Sequence, residues 1–383
     1  MKIALIEPYL LDYTGHYYNF VTELRKGFDK LDSKDTVNIF VSKRCTLDEP
    51  FYKILPEIKN LNGKNLFVRI FEHPFFLLRF YRVLRKIKKD YDVLVFTTAD
   101  EWRVFLLAFG LNTKKPTFLY IHNISFSTKQ KLILRYLGLR KKKHLYILSA
   151  MAEGNVQPDL ISFLRSKHCK LLLGVPYPLP TLQDFPSLCK SENIFYISYL
   201  GDARKEKGII EFVNFIFYCK RNKLDYNFIL QCNPPPFGYE PEVENVVKNI
   251  KKENFKGVIL AERNFTSGEY RKNLMNSAVV FLLYDPNRYK YSISAILLEA
   301  FSFGKPVVVR AGNWLSDQVS RYGGGIVVED VHPETLKSAV EKIRLDYERY
   351  SREAFEAGKK LYEKHNGAEL AKLIKSKVGF ENE

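Results

Sequence analysis

The chain has 383 residues, enough for two cores of ordinary size, and its 46% hydrophobic and 27% charged residues fit a folded, soluble protein and exclude intrinsic disorder. Lys and Arg number 60 against 43 Asp and Glu, a net charge of +17, and residues 61–150 alone hold 18 cations against 5 acids, or +13 of that excess. So local a basic field suits phosphate-bearing partners, whether nucleic acid, anionic lipid or a lipid-pyrophosphate acceptor.

The first segment, Met1 to Glu7, is a short apolar run ended by an acid and Pro8. It reads as a buried strand, since a signal peptide needs a longer apolar core and a small-residue cleavage site. No run of about 18 uncharged apolar residues marks a membrane span. Five cysteines (Cys45, Cys169, Cys189, Cys219, Cys232) are odd in number, widely spaced and free of a CxxC pair. Disulfide and zinc frameworks both fail on that spacing, and reduced thiols in the cytoplasm fit it.

Strands are predicted at Ile3–Ile6, Val37–Val41, Leu66–Ile70, Val93–Thr97, Thr117–His122, Leu145–Leu148 and Leu171–Leu173. The runs are continuous rather than alternating, as in parallel strands covered on both faces, and helical stretches between them supply the crossovers. Arg79–Lys89 reads as a helix with Val83, Leu84 and Ile87 inward and cations outward. Lys129 and residues 131–143 mix leucines with cations and end in Arg140-Lys141-Lys142-Lys143. Both stretches suit an anionic membrane surface, and both also suit the solvated face of an ordinary helix.

Val175-Pro176-Tyr177-Pro178-Leu179-Pro180 interrupts regular structure, because each proline lacks an N–H and restricts its predecessor. Residues 175–192 are therefore predicted to link a first domain, 1–174, to a second, 193–345. Strands of the second are expected at Ile194–Leu200, Phe228–Gln231, Val258–Ala261, Val279–Tyr284, Pro306–Val309 and Ile326–Val328. From Pro333 the chain reads as helices, with 346–383 as a closing helical segment. Pattern alone thus predicts two doubly wound α/β domains, whose ligands sit beyond the C-terminal ends of the strands in a cleft between them.

Two segments carry chemistry. In Tyr199-Leu200-Gly201-Asp202-Ala203-Arg204-Lys205-Glu206-Lys207-Gly208 a strand ends at a glycine, a short turn holds three cations, and a second glycine opens a helix. Arg204 can bind phosphate oxygens bidentately and Lys207 adds a point charge, although a solvated basic loop has the same composition. The second segment, 285–308, places a small-residue turn, Ser292–Ala295, at the mouth of a helix whose free N–H groups suit a phosphate or sugar. Glu299, about one turn further in, suits two ribose hydroxyls, or serves only as an acid near the positive end of the helix.

These pieces resemble the family-4 retaining glycosyltransferases of the GT-B fold, whose two Rossmann-like domains face one another across a cleft. The resemblance is carried in order by Gly15-His16, by His122 in Leu119-Tyr120-Ile121-His122-Asn123, by the glycine and Lys-Gly of 199–208, and by Ser294, Glu299-Ala300 and Gly304-Lys305-Pro306-Val307-Val308. It implies transfer of a hexose-type sugar from a UDP- or GDP-linked donor to a lipid-linked or other glycan acceptor, with retention of configuration and no metal or other cofactor. It further implies a cytoplasmic chain held peripherally at the inner face of a membrane.

By that resemblance Arg204 and Lys207 hold the diphosphate, Glu299 the ribose, and the amides around Ser294, Ala295 and Ile296 the phosphate and sugar. Arg263 approaches the base, and His122 meets the transferring sugar as a catalytic residue, though without the motif a strand-end histidine is more often merely structural. Gly15 lets the donor approach the backbone, or simply opens a helix, and His16 lies on the acceptor side. The family's first glutamate, eight residues before Glu299, is here Tyr291, which offers a hydroxyl without charge. A variant subgroup accounts for this, with the phosphate cations and Glu299 intact, and a catalytically weak scaffold partner is the rival that Tyr291 supports; an epimerase of the same fold fits the Glu299-Ala300 run and the Lys207-Gly208 turn less well than a transferase does. A nucleic-acid-binding protein, the rival from another class, would need aromatics interleaved with the exposed cations, and these are not evident.

Overall fold

A computed structural model describes residues 1–13, 17–58, 66–99, 104, 107, 111, 114–122, 144–151, 161–162, 170–179, 195–235, 238–290 and 292–379. Gly15, His16, Tyr291, the cationic stretch 129–143 and most of the expected linker lie outside the described residues. The chain divides into two compact units, Met1–Pro180 with Lys364–Glu383, and Thr181–Glu363.

The first unit is built on seven strands: β1 (Lys2–Glu7), β2 (Thr36–Ser42), β3 (Tyr52–Leu55), β4 (Val93–Phe96), β5 (Thr117–Tyr120), β6 (Leu145–Ser149) and β7 (Lys170–Leu173). Their order is β3-β2-β1-β4-β5-β6-β7, with every pairing parallel. The apolar runs of β1, β4, β5 and β6 are buried throughout, apart from Lys2 at the edge of β1. Two helices flank them early in the chain, α1 (Tyr17–Leu31) and α2 (Leu66–Asp90).

Leu66–Ile70 is not a strand but the start of α2. The apolar character that suggested a strand continues well past Ile70, and only a helix accommodates so long a run. The outermost strand is instead β3, in which only Leu55 is buried, a pattern too polar to register as a buried run. The far end of α2 is closed by Lys115, whose Nζ donates to the carbonyls of Lys88 at 2.7 Å and Tyr91 at 2.5 Å. A cation there satisfies last-turn acceptors and complements the negative end of the helix.

The second unit holds β8 (Tyr196–Tyr199), β9 (Asn227–Gln231), β10 (Val258–Ala261), β11 (Ser277–Leu282), β12 (Val307–Arg310) and β13 (Gly325–Val328) in the order β10-β9-β8-β11-β12-β13, again all parallel. Around it run α3 (Ile209–Arg221), α4 (Pro241–Glu253), α5 (Ser267–Asn276), the single-turn α6 (Pro286–Tyr289), α7 (Ala295–Ser302), α8 (Trp314–Tyr322), α9 (Pro333–Leu345) and α10 (Tyr347–Lys364). Phe212 and Phe215 of α3 meet Phe281 of β11 at ring separations of 5.5 and 5.4 Å, which fixes that helix on the sheet. The last helix, α11 (Gly367–Gly379), packs on α1 as part of the first unit.

In each sheet the strand order reverses direction beside the first strand, between β1 and β4 and between β8 and β11. Loops diverge at such a point and leave a crevice at the C-terminal strand ends.

Candidate functional site

In the second unit the loops after β8, β9, β10 and β11 converge on Gly201. Its backbone has φ +123°, and a Cβ there would lie 3.3 Å from Ile296 Cδ1 and 3.6 Å from Lys207 Nζ. The two motifs, nearly a hundred residues apart in sequence, therefore share one corner. Gly208 locks them together: it has φ +81°, and a Cβ would approach Leu283 Cβ and its carbonyl at 2.6 Å. No side chain fits, so the turn that carries the cations can press against the end of β11 only with glycine here. Asp285 N completes the contact by donating to Glu206 O at 2.9 Å.

The cations are held loosely. Arg204 lies 3.7 Å from Asp202 and 3.5 Å from Glu206, and Lys207 lies 3.8 Å from Asp202. Arg204 Nε is buried and has no hydrogen-bond partner among the described residues. Burial opposes the Arg204 charge, but Tyr289, Asp202 and Glu206 outweigh it and hold the guanidinium above its ordinary value. Lys207 is 12% exposed, and burial, helped by neighbouring Arg204, brings it down to about 8. Two cations crowded together with an unfilled donor suit an anion with several oxygens.

Beside them α7 opens at Ser294, whose hydroxyl accepts from Leu297 N at 3.3 Å. The amides of Ala295 and Ile296 belong to the first turn, which has no acceptor within the helix. Glu299 stands one turn on from Ile296 on the same face and is partly buried. Burial pushes its carboxyl up to about 7.

Three supporting residues are not legible as motifs. Gln231, at the end of β9, accepts from Gly201 N at 2.9 Å and donates to the Arg263 carbonyl at 3.3 Å. Asn233 donates to Asp202 Oδ1 at 3.2 Å, while its carbonyl accepts from Ala203 N at 2.9 Å. Tyr270 donates to Glu299 Oε2 at 2.6 Å. The only prior signal was an amide or phenol at a strand or helix end, too common to single out.

Arg263 follows β10 as expected, but its guanidinium is engaged. It donates to both carboxylate oxygens of Glu269, at 2.8 and 2.7 Å, and Glu269 also closes a capping box with Thr266 at the start of α5. That pairing fastens the β10–α5 loop.

His122 belongs to the first unit, just past β5. Its Nε2 lies 3.1 Å from the Thr97 carbonyl and 3.4 Å from Thr98 Oγ1. A carbonyl only accepts, so Nε2 carries the proton, and Nδ1 of the neutral ring is an acceptor. Burial holds the imidazole down at about 4. Thr98 and Thr97 donate in turn to Glu7 Oε2 at 2.6 and 2.8 Å, at the ends of β4 and β1. Phe20 packs edge-on to the ring at 5.3 Å. The histidine is thus fixed in place at the strand ends, beside the point where the strand order reverses.

No family model and no curated protein matches the sequence. Solved structures do match, across almost the entire chain. A glycosyltransferase from Rickettsia africae ESF-5 aligns over 100% of this chain and 98% of its own at TM-score 0.68 and 14% identity. HepE from Anabaena, solved with UDP and glucose, aligns over 99% and 100% at TM-score 0.66 and 14% identity. The chain has the GT-B fold. A sucrose-phosphate synthase from Thermosynechococcus elongatus agrees, with TM-score 0.63 and 14% identity over 99% and 98%. Two parallel sheets with helices around them, the architecture expected from the pattern of runs, are what this GT-B chain shares with these proteins.

Proposed function

We propose that the chain is a glycosyltransferase that moves a hexose-type sugar from a UDP- or GDP-linked donor to a lipid-linked or other glycan acceptor, with retention at the anomeric carbon. The observation that carries this is the shared corner at Gly201, where Arg204, Lys207 and the mouth of α7 meet. HepE, of the same fold, was solved with UDP and with UDP-glucose, which supports a nucleotide-sugar donor.

The diphosphate lies against Arg204, Lys207 and the first-turn amides of α7, and Glu299 accepts from the ribose. Negative charge builds on the diphosphate as the glycosidic bond breaks, and these preorganised donors stabilise it. Because the cations and amides supply that stabilisation, no metal is required in this scheme. His122 accepts a hydrogen bond from a hydroxyl of the transferring sugar through Nδ1 and does not act as an acid near neutral pH.

The acceptor is delivered at an anionic membrane surface. On α2, Phe75 and Leu78 are exposed, and Arg79, Arg82, Arg85, Lys86 and Lys89 are exposed with them. Apolar anchors flanked by cations suit the headgroup region of a bilayer. No helix among the described residues is long and apolar enough to cross a membrane, so in this scheme contact is peripheral.

A thermal-shift panel of nucleoside diphosphates and sugar nucleotides, with and without EDTA, tests the donor assignment. The expected result is stabilisation by a UDP or GDP series that EDTA leaves unchanged. A panel in which no nucleotide raises the melting point contradicts it, and stabilisation abolished by EDTA contradicts metal independence.

A further inference from the structure

We propose that Tyr270 is the positioning residue for Glu299, holding one carboxylate oxygen so that the other is presented to the nucleoside ribose. This rests on the reading of Glu299 as the ribose acceptor. The Tyr270 hydroxyl donates to Oε2 at 2.6 Å, and no other hydrogen bond reaches the Glu299 side chain among the described residues. A carboxylate on a rotatable stem, partly buried and tied at one oxygen, has one remaining face to offer.

Tyr270 is itself held firmly. It sits in the first turns of α5, where its amide donates to the Thr266 carbonyl at 2.8 Å. The capping box of Thr266 and Glu269 fixes that helix end, and Arg263 grips Glu269 from the preceding loop. The arginine expected near the base therefore acts two steps away, by steadying the helix that aims Tyr270.

The groups that bear on Glu299 are few. Burial raises it, and the Tyr270 hydrogen bond is what lowers it. Tyr270 is driven well above the usual tyrosine range by burial and by Glu299, with Tyr284, just past the end of β11, adding to the effect, so it stays a donor throughout the working range. Loss of the hydroxyl should therefore free the carboxylate to turn and favour its protonated form near neutrality.

The test is calorimetric titration of UDP and GDP, and of their 2′,3′-dideoxy counterparts, into wild type and Tyr270→Phe from about pH 5.5 to about pH 9, a range that brackets the carboxylate limb. We expect Tyr270→Phe to bind the ribonucleotides about tenfold more weakly near pH 7, as for loss of one hydrogen bond to a charged group. The low-pH limb of the affinity should move to higher pH, and the dideoxy affinity should not change. In a Glu299→Gln background the same substitution should weaken binding no further. An unchanged pH limb, an equal loss with dideoxy nucleotides, or early melting of Tyr270→Phe without ligand would each overturn the assignment. Wild type that binds no nucleotide sinks the donor site itself, and equal wild-type affinity for ribo and dideoxy forms sinks the role of Glu299.

Discussion

Gly27 of α1 and Gly367 of α11 pack backbone to backbone: a Cβ on Gly27 would strike the Gly367 carbonyl, and one on Gly367 would strike the carbonyl of Glu23. The contact brings the end of the chain onto its beginning. Lys375 reinforces it, reaching Asp35 at 2.6 Å and Asp32 at 3.4 Å.

Gly367→Ala should therefore destabilise the first unit by about 1–3 kcal/mol, the usual result of forcing a methyl into a filled contact. Calorimetric melting should show the loss in one transition and leave the second unit unchanged. Gly379→Ala, with open space around its Cβ, is the control and should change nothing.

His122 should titrate far below the ordinary imidazole range. Because burial holds it at about 4, its ring stays neutral across the working pH of an enzyme. Nitrogen-detected NMR should find the proton on Nε2 and no titration near 6.5, the ordinary value. His122→Ala should then lower the rate of sugar transfer while nucleoside diphosphate affinity holds within about twofold, since the proposed contact is to the sugar.

Glu299 sets stability against function. Its folded-state value, about 7, lies above the ordinary 4.5, so the folded chain binds that proton more tightly than the unfolded chain. Stability from this group is therefore greatest below 4.5, falls between 4.5 and 7, and remains reduced above 7. Glu299→Gln should raise the melting point at pH 8 by roughly 2–4 °C, with little change at pH 4. The same variant should lose nucleoside diphosphate affinity at pH 8, because an amide replaces the charged acceptor.

Much of this was legible from residue order, and the exceptions have physical reasons. Buried parallel strands such as Val93–Phe96 announce themselves as continuous apolar runs, and the glycines of 201 and 208 mark turns that only they can make. Leu66–Ile70 misled because an apolar run with β-branched residues fits a strand or a helix, and only its continuation into a 25-residue helix decides. Tyr52–Leu55 was invisible because an edge strand need not be apolar. Arg263 stands after β10, where the base contact is expected, and its pairing with Glu269, six residues on, is a contact that residue order does not announce. Tyr270 and Glu299 are 29 residues apart on different helices, a pairing that no spacing rule reveals.

The exposed face of α2 should bind anionic vesicles. Phe75→Ser with Leu78→Ser should reduce flotation with phosphatidylserine-containing liposomes and leave nucleotide binding intact. Lowering salt should strengthen the wild-type interaction, as the cations require. Equal recovery with neutral vesicles at high salt would remove the electrostatic part of the proposal.

The most direct measurement is diffraction from crystals soaked with a UDP- or GDP-linked sugar. The diphosphate oxygens should lie within hydrogen-bond reach of Arg204, Lys207 and the Ala295 and Ile296 amides, with the ribose on Glu299. Density for the nucleotide elsewhere, or an empty Gly201 corner at saturating ligand, would contradict the proposed activity.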